Sequence, residues 1–90
     1  MTDWYDVRLS PSARRSLTHS LPETVAAAVM EFIAGPLAQN PQRVGKPLTG
    51  PLAGKYSARR GDYRVIYTID DGKVLVLVLT ITHRRDAYRR

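Results

Sequence analysis

The chain contains no cysteine. Disulfide staples and thiolate chemistry are therefore excluded, and the absence suits a reducing cytosol. Long apolar runs are missing too. The longest, residues 74–79, has the length of a strand and falls well short of the ~18–20 residues of a membrane span. The only two histidines, His19 and His83, lie far apart in the sequence and lack the spacing of a metal-ligand pair. Acids are in the minority, 8 against 14 Lys and Arg. The first six residues carry Asp3 and Asp6 and no cation, so no secretory signal is expected. What these absences leave is a cytoplasmic protein with no cofactor and no metal. Its 90 residues fit one compact domain, 1–90.

What is present is arginine, unevenly spread. The net charge is +6, and eleven of the 14 cations are Arg. Residues 1–40 hold three Arg against four acids, whereas residues 41–90 hold eleven cations against four acids. The positive surplus therefore lies entirely in the second part. The planar fork of Arg suits phosphate better than the point charge of Lys does. A basic half on a near-neutral scaffold points to a polyanionic partner, nucleic acid first among them. A protein of high pI with no nucleic-acid role is equally compatible with the charge alone.

Periodicity supplies the fold. Tyr5, Val7 and Leu9 alternate with Asp6 and Arg8, which predicts a first strand. Ser10-Pro11 then gives an N-cap and a Pro at the first helical position. A helix follows to about His19, with Ala13 and Leu17 inward. Leu21-Pro22 breaks it and opens a second helix, whose Val25, Val29, Phe32 and Ile33 share a face. Gly35-Pro36 ends or kinks that helix. Residues 35–54 contain four of the six Gly and four of the six Pro and read as one long loop carrying Arg43 and Lys46. Its Gly45-Lys46 pair is not a nucleotide-binding P-loop, because Asn40 and Pro47 stand where that motif needs Gly and Ser or Thr.

Three strands close the chain, at residues 55–60, 63–69 and 74–82. Gly61-Asp62 suits a type II′ turn and Asp71-Gly72 a type I′ turn. The expected class is α+β: a strand, two helices, then a three-stranded antiparallel meander with the helices on one face.

Two-residue turns fix a register. Arg59 then opposes Arg64, Ala58 opposes Val65 and Tyr56 opposes Tyr67. Val65 opposes Val78 and Tyr67 opposes Val76. Tyr56, Ala58, Val65, Tyr67, Val76 and Val78 share the face expected to cover the helices. The other face carries Lys55, Ser57, Arg59 and Arg64, with Arg64 flanked by Leu79. Beside them lie Ile66, Leu75, Leu77 and Leu79, an apolar floor within a cationic edge. With no third helix expected, a partner should cover that floor. The same register brings His83 and Arg84 to the Arg59–Arg64 end.

Three runs carry a resemblance: YSARRGDYRVIY at residues 56–67, THRRDAYRR at 82–90 and GKPL at 45–48. In this order they resemble the RelE/ParE toxin superfamily, over essentially the whole chain. The resemblance implies the toxin of a type II toxin–antitoxin pair. In the RelE branch it implies a ribosome-dependent endoribonuclease that cleaves mRNA in the A site, by attack of a ribose 2′-OH on the adjacent phosphorus. It also implies a cognate acidic antitoxin. A ParE-like inhibitor of DNA gyrase and a non-toxic nucleic-acid-binding module share the fold and stay open as alternatives.

Carried over by position, Lys55, Arg64, Arg84 and Tyr88 resemble the family's catalytic residues. Arg43, Lys46, Arg59, Arg60 and His83 are expected to contact RNA. Ile66, Leu75, Leu77 and Leu79 are expected to meet the antitoxin. The chain departs from the type member at Ser57, where a second lysine would stand. Arg59 can replace its charge but not a base, because Arg does not give up its proton in proteins. Histidine is the side chain suited to acid–base work near neutral pH, which makes His83 the reserve acid or base.

Overall fold

The computed structural model describes residues 4–83. Helices lie on one face of a five-stranded sheet. In chain order the elements are β1 (Asp6–Leu9), α1 (Pro11–Arg15), α2 (Glu23–Phe32), α3 (Pro41–Val44), β2 (Lys46–Pro47), β3 (Tyr56–Arg60), β4 (Tyr63–Asp70) and β5 (Leu75–His83). The sheet order is β1-β5-β4-β3-β2. β1 runs parallel to β5, and the remaining neighbours are antiparallel. Among the described residues no helix is long and apolar enough to cross a membrane.

The expected N-cap forms. Ser10 Oγ accepts from the Ala13 amide at 3.0 Å, and Pro11 opens α1. α1 passes into a π turn at Ser16–Ser20 before Pro22 leads into α2. The helical run does not stop at Gly35-Pro36 but passes through it. Pro36 has no amide to donate and its ring crowds the preceding turn. The chain responds by widening into a π turn at Ile33–Leu37.

The long loop expected at residues 35–54 is largely structured. It holds the end of that π turn, then α3, β2 and a 3₁₀ turn at Gly50–Leu52. β2 is a sheet edge, where the missing amide of Pro47 costs little. Lys46 pairs with Ser57 and Pro47 with Tyr56.

The core lies between the helices and the inner sheet face. Ala13, Val29, Ile33 and Leu37 pack against Ala58, Val65, Tyr67, Val76, Val78 and Ile81. Tyr56 stacks on Tyr67 with ring centroids 5.6 Å apart. The fully buried Tyr67 donates its hydroxyl to the Pro41 carbonyl at 2.6 Å. This ties α3 to the middle of the sheet. Burial pushes the Tyr67 phenol up to about 12, and the charge of Tyr56 adds to the shift.

The β3–β4 register is the expected one, closed by Gly61 at φ +62°. The β4–β5 register is not. Asp70 pairs with Leu75 across a four-residue turn, in which Val74 takes φ 50°. The turn is held at Asp71, which accepts from the Tyr5 hydroxyl and, at 2.7 Å, from Gln42. Tyr67 therefore faces Val78 instead of Val76. A bulge follows, because Ile66 pairs with Thr80 while Tyr67 pairs with Val78. Leu79 has no opposite residue, and its carbonyl accepts from the Ser10 hydroxyl. Beyond the bulge every side chain changes face. Ile81 enters the core opposite Val65, and Thr82, not Leu79, comes opposite Arg64.

Candidate active site

On the sheet face away from the helices, strand alternation sets out rows of side chains. Lys46, Ser57, Ile66 and Thr80 form one row, and Arg59, Arg64 and Thr82 form the next. A cavity of about 370 Å³ opens where these rows meet β2, lined by Val44, Gly45, Lys46, Ser57, Arg59 and Arg64. Three of those six residues are cations and none is an acid. Arg64 is half-buried, while Lys46 and Arg59 are exposed.

The cavity exists because β2 comes close to the sheet. A Cβ on Gly45 would lie 2.2 Å from the Tyr67 hydroxyl and 3.0 Å from the Ser57 carbonyl oxygen. Only glycine lets the chain pass there and deliver Lys46 to its place beside Ser57. Ser57 Oγ and Thr82 Oγ1 are buried, with no hydrogen-bond partner among the described residues. Buried hydroxyls without partners are uncommon; Thr82 ends the arginine row and Ser57 stands in the row beside it. Converging guanidinium, ammonium and hydroxyl donors can hold an anion with several oxygens, phosphate above all. Among the described residues no three His, Asp or Glu come together to hold a metal ion.

The remaining candidates divide between the two faces. Lys55 precedes β3, where its carbonyl accepts from Leu48 at 2.8 Å, and does not line the cavity. Arg43 is exposed on α3. Arg60 points to the helix side, where it lines a cavity with Glu31, Phe32 and Pro36. His83 is carried to the helix side as well. Its ring meets Tyr63 edge-on at a centroid distance of 5.2 Å. The bulge explains this, since without it His83 would share a face with Arg64. Arg84 and Tyr88 lie outside the described residues.

Of the apolar floor, Ile66, Leu75 and Leu77 keep the open face and are half-buried. Leu79 sits at the bulge. Beside the floor, Asp6 and Arg8 of β1 stand level with Leu75 and Leu77 and pair with each other at 3.0 Å. The open face thus has an apolar end and a cationic end. Ser57, Thr82 and Gly45 were not singled out as site builders from the sequence, and the GK pair offered the one available signal.

Residues 7–88 match the model of the ParE toxin of the type II toxin–antitoxin system parDE. The chain belongs to the RelE/ParE toxin family. Toxin RelG of Mycobacterium tuberculosis is 54% identical to this family member over 86 residues, covering 96% of this chain and 98% of RelG. Toxin RelE of the same organism is 52% identical over 85 residues, covering 94% and 87%. The toxin also superposes on the M. tuberculosis RelBE2 toxin–antitoxin complex with a TM-score of 0.86 at 52% identity, covering 90% of this chain and 99% of the other. The archaeal RelE–RelB complex of Pyrococcus horikoshii gives a TM-score of 0.71 at 30% identity, with coverage of 97% and 100%. Isolated Escherichia coli RelE, 21% identical with a TM-score of 0.70 over 88% of this chain and 83% of that one, shares the fold.

Proposed function

We propose that this type II toxin is a cytoplasmic, ribosome-dependent endoribonuclease that cleaves mRNA in the A site. The observation that carries the reading is the acid-free cavity formed by Lys46, Arg59 and Arg64. In the reaction the ribose 2′-oxygen bonds to the adjacent phosphorus and loses its proton to water, and the bond to the 5′-oxygen breaks as that oxygen takes a proton from water. Negative charge builds on the phosphoryl oxygens in between. Arg64 and Arg59 stabilise it, each well-aimed donor contributing about 3 kcal/mol by analogy with oxyanion sites. Arg84 and Tyr88 complete the site, and Lys55 holds a neighbouring phosphate. His83, packed on Tyr63, takes no part in proton transfer. No metal ion is needed. Orientation of the strained mRNA comes from the ribosome, so the toxin alone is a poor nuclease.

An acidic antitoxin restrains it by covering Ile66, Leu75, Leu77 and Leu79. Two of the similar structures are complexes of a RelE toxin with its RelB antitoxin or of the RelBE2 pair, which supports this part of the reading. Match to the ParE model favours a second reading, a toxin of the same fold that inhibits DNA gyrase by binding it. A translation extract programmed with a defined mRNA, run beside a gyrase supercoiling assay, separates the two. Codon-spaced cleavage with unaffected supercoiling supports the nuclease; intact mRNA with blocked supercoiling supports the gyrase inhibitor.

A further inference from the structure

We propose that Lys46 is a catalytic residue of the site, supplying from β2 the amine that Ser57 leaves absent on β3. The inference rests on the nuclease reading above and adds to it a residue from a different strand.

Four observations converge on Lys46. Its partner in the β2–β3 register is Ser57, so the two side chains share one row of the open face. Both line the cavity that also holds Arg59 and Arg64. Ser57 is short, 9% exposed, and its buried Oγ has no partner among the described residues. A small hydroxyl at that point leaves room for a long side chain from the next strand and a donor or acceptor for whatever enters. Finally, β2 is held at this spot by a specific device. Gly45 admits the Tyr67 hydroxyl, and that hydroxyl is bound to Pro41 at the start of α3. A two-residue edge strand containing a proline has little reason of its own to be fixed so tightly. The lock has an evident product: it sets Lys46 opposite Ser57, in the row beside the arginines, on the cavity that they share.

The chemistry asked of Lys46 is electrostatic. As an ammonium it contacts a non-bridging oxygen of the scissile phosphate. There it neutralises charge as the phosphorus becomes five-coordinate, and it transfers no proton. Its flexible stem suits a point contact, while the guanidinium groups of Arg59 and Arg64 supply directional donors.

The test compares Lys46→Ala, Lys46→Arg and Lys46→Ala/Ser57→Lys in the translation extract, with Arg64→Ala as the reference for a site lesion. Binding of inorganic phosphate to each isolated toxin is measured alongside by NMR titration. Lys46→Ala is expected to lower the single-turnover cleavage rate on the order of tenfold to a hundredfold and to weaken phosphate binding. Lys46→Arg should retain most of the rate. The double variant should recover much of the loss, because it returns an amine to the same row from β3. A Lys46→Ala protein that cleaves like wild type while Arg64→Ala is inactive overturns the inference and leaves the nuclease reading standing. So does a loss that neither Lys46→Arg nor the double variant repairs. If wild type itself cleaves nothing, the nuclease reading fails. Phosphate binding then still decides whether Lys46 belongs to the anion site, and unchanged binding in Lys46→Ala rejects it.

Discussion

The hydroxyl of Tyr67 and the backbone of Gly45 share the space of one atom: a Cβ at residue 45 would stand 2.2 Å from that oxygen. The same hydroxyl donates to the Pro41 carbonyl. One oxygen therefore excludes a side chain from one residue and satisfies the backbone of another.

That contact predicts a coupled pair of variants. Tyr67→Phe strips the Pro41 carbonyl of a buried donor and should cost about 1–3 kcal/mol in urea denaturation. Gly45→Ala should displace β2 and weaken phosphate binding. The double variant removes the nearest obstacle to the Cβ, leaving contacts of 3.1 Å to the Tyr67 ring and 3.0 Å to the Ser57 carbonyl. It should therefore fall short of additive damage. Strict additivity in a double-mutant cycle would show that the two residues do not meet as described.

Alkali should reveal Tyr67 as well. A tyrosine in the unfolded chain ionises near pH 10, at about its ordinary value, whereas burial holds folded Tyr67 up to about 12. The folded state thus keeps a proton that the unfolded state has begun to lose. Stability linked to this phenol is complete below the unfolded value and drains away as pH rises through the folded one. Wild type and Tyr67→Phe should converge in stability across that window. A gap that stays constant through it would contradict the assignment.

Arg64→Ala should remove mRNA cleavage and growth arrest, with kcat/KM falling on the order of a hundredfold or more. Arg64 sits on the open face opposite Arg59 and Thr82, away from the packed core, so the variant should stay soluble and keep its antitoxin. A soluble variant with full toxicity would move the site elsewhere and strengthen the gyrase reading.

The ends of the RNA report the route. Attack by the 2′-oxygen leaves a 2′,3′-cyclic phosphate and a 5′-hydroxyl, and end-labelling of cleaved mRNA should find both. Products with a 3′-hydroxyl and a 5′-phosphate would require an attacking water and rule out the proposed chemistry.

Leu77→Asp places a carboxylate in the apolar end of the open face and should weaken antitoxin binding by about 2 kcal/mol or more. Glu31→Gln, on the exposed side of α2, should leave the affinity unchanged. Equal affinities measured by calorimetry would put the antitoxin on another surface.

Local chemistry made much of this molecule legible beforehand. Ser10-Pro11 announces α1, and Gly61-Asp62 sets the β3–β4 register that puts Arg59 opposite Arg64. Two features escaped because distant contacts decide them. The Asp71-Gly72 pair signals a tight two-residue turn, yet Tyr5 and Gln42 engage Asp71 and the turn takes four residues. The bulge at Leu79 leaves no local mark, since its carbonyl is satisfied by Ser10, a residue 69 positions away. β2 was hidden by its brevity and its proline. With it went the alignment of Lys46 and Ser57, so Lys46 was legible as a basic loop residue but not as a neighbour of the arginine row.

The bulge makes β5 a strand of two parities. Up to Val78 the even-numbered residues enter the core, and from Ile81 the odd-numbered ones do. An insertion or deletion of one residue is usually ruinous in a central strand, because it inverts everything downstream. Here the inversion is already part of the native register. Closing the bulge with Leu79 retained, so that Leu79 faced Ile66, would erase it, setting Thr80 in the core opposite Val65 and turning Ile81 and His83 outward onto the face of Arg64. Loss of the unpaired Leu79 itself would keep every pair downstream, so it is the phase of one strand, not its length, that decides which chemistry the arginines have for company.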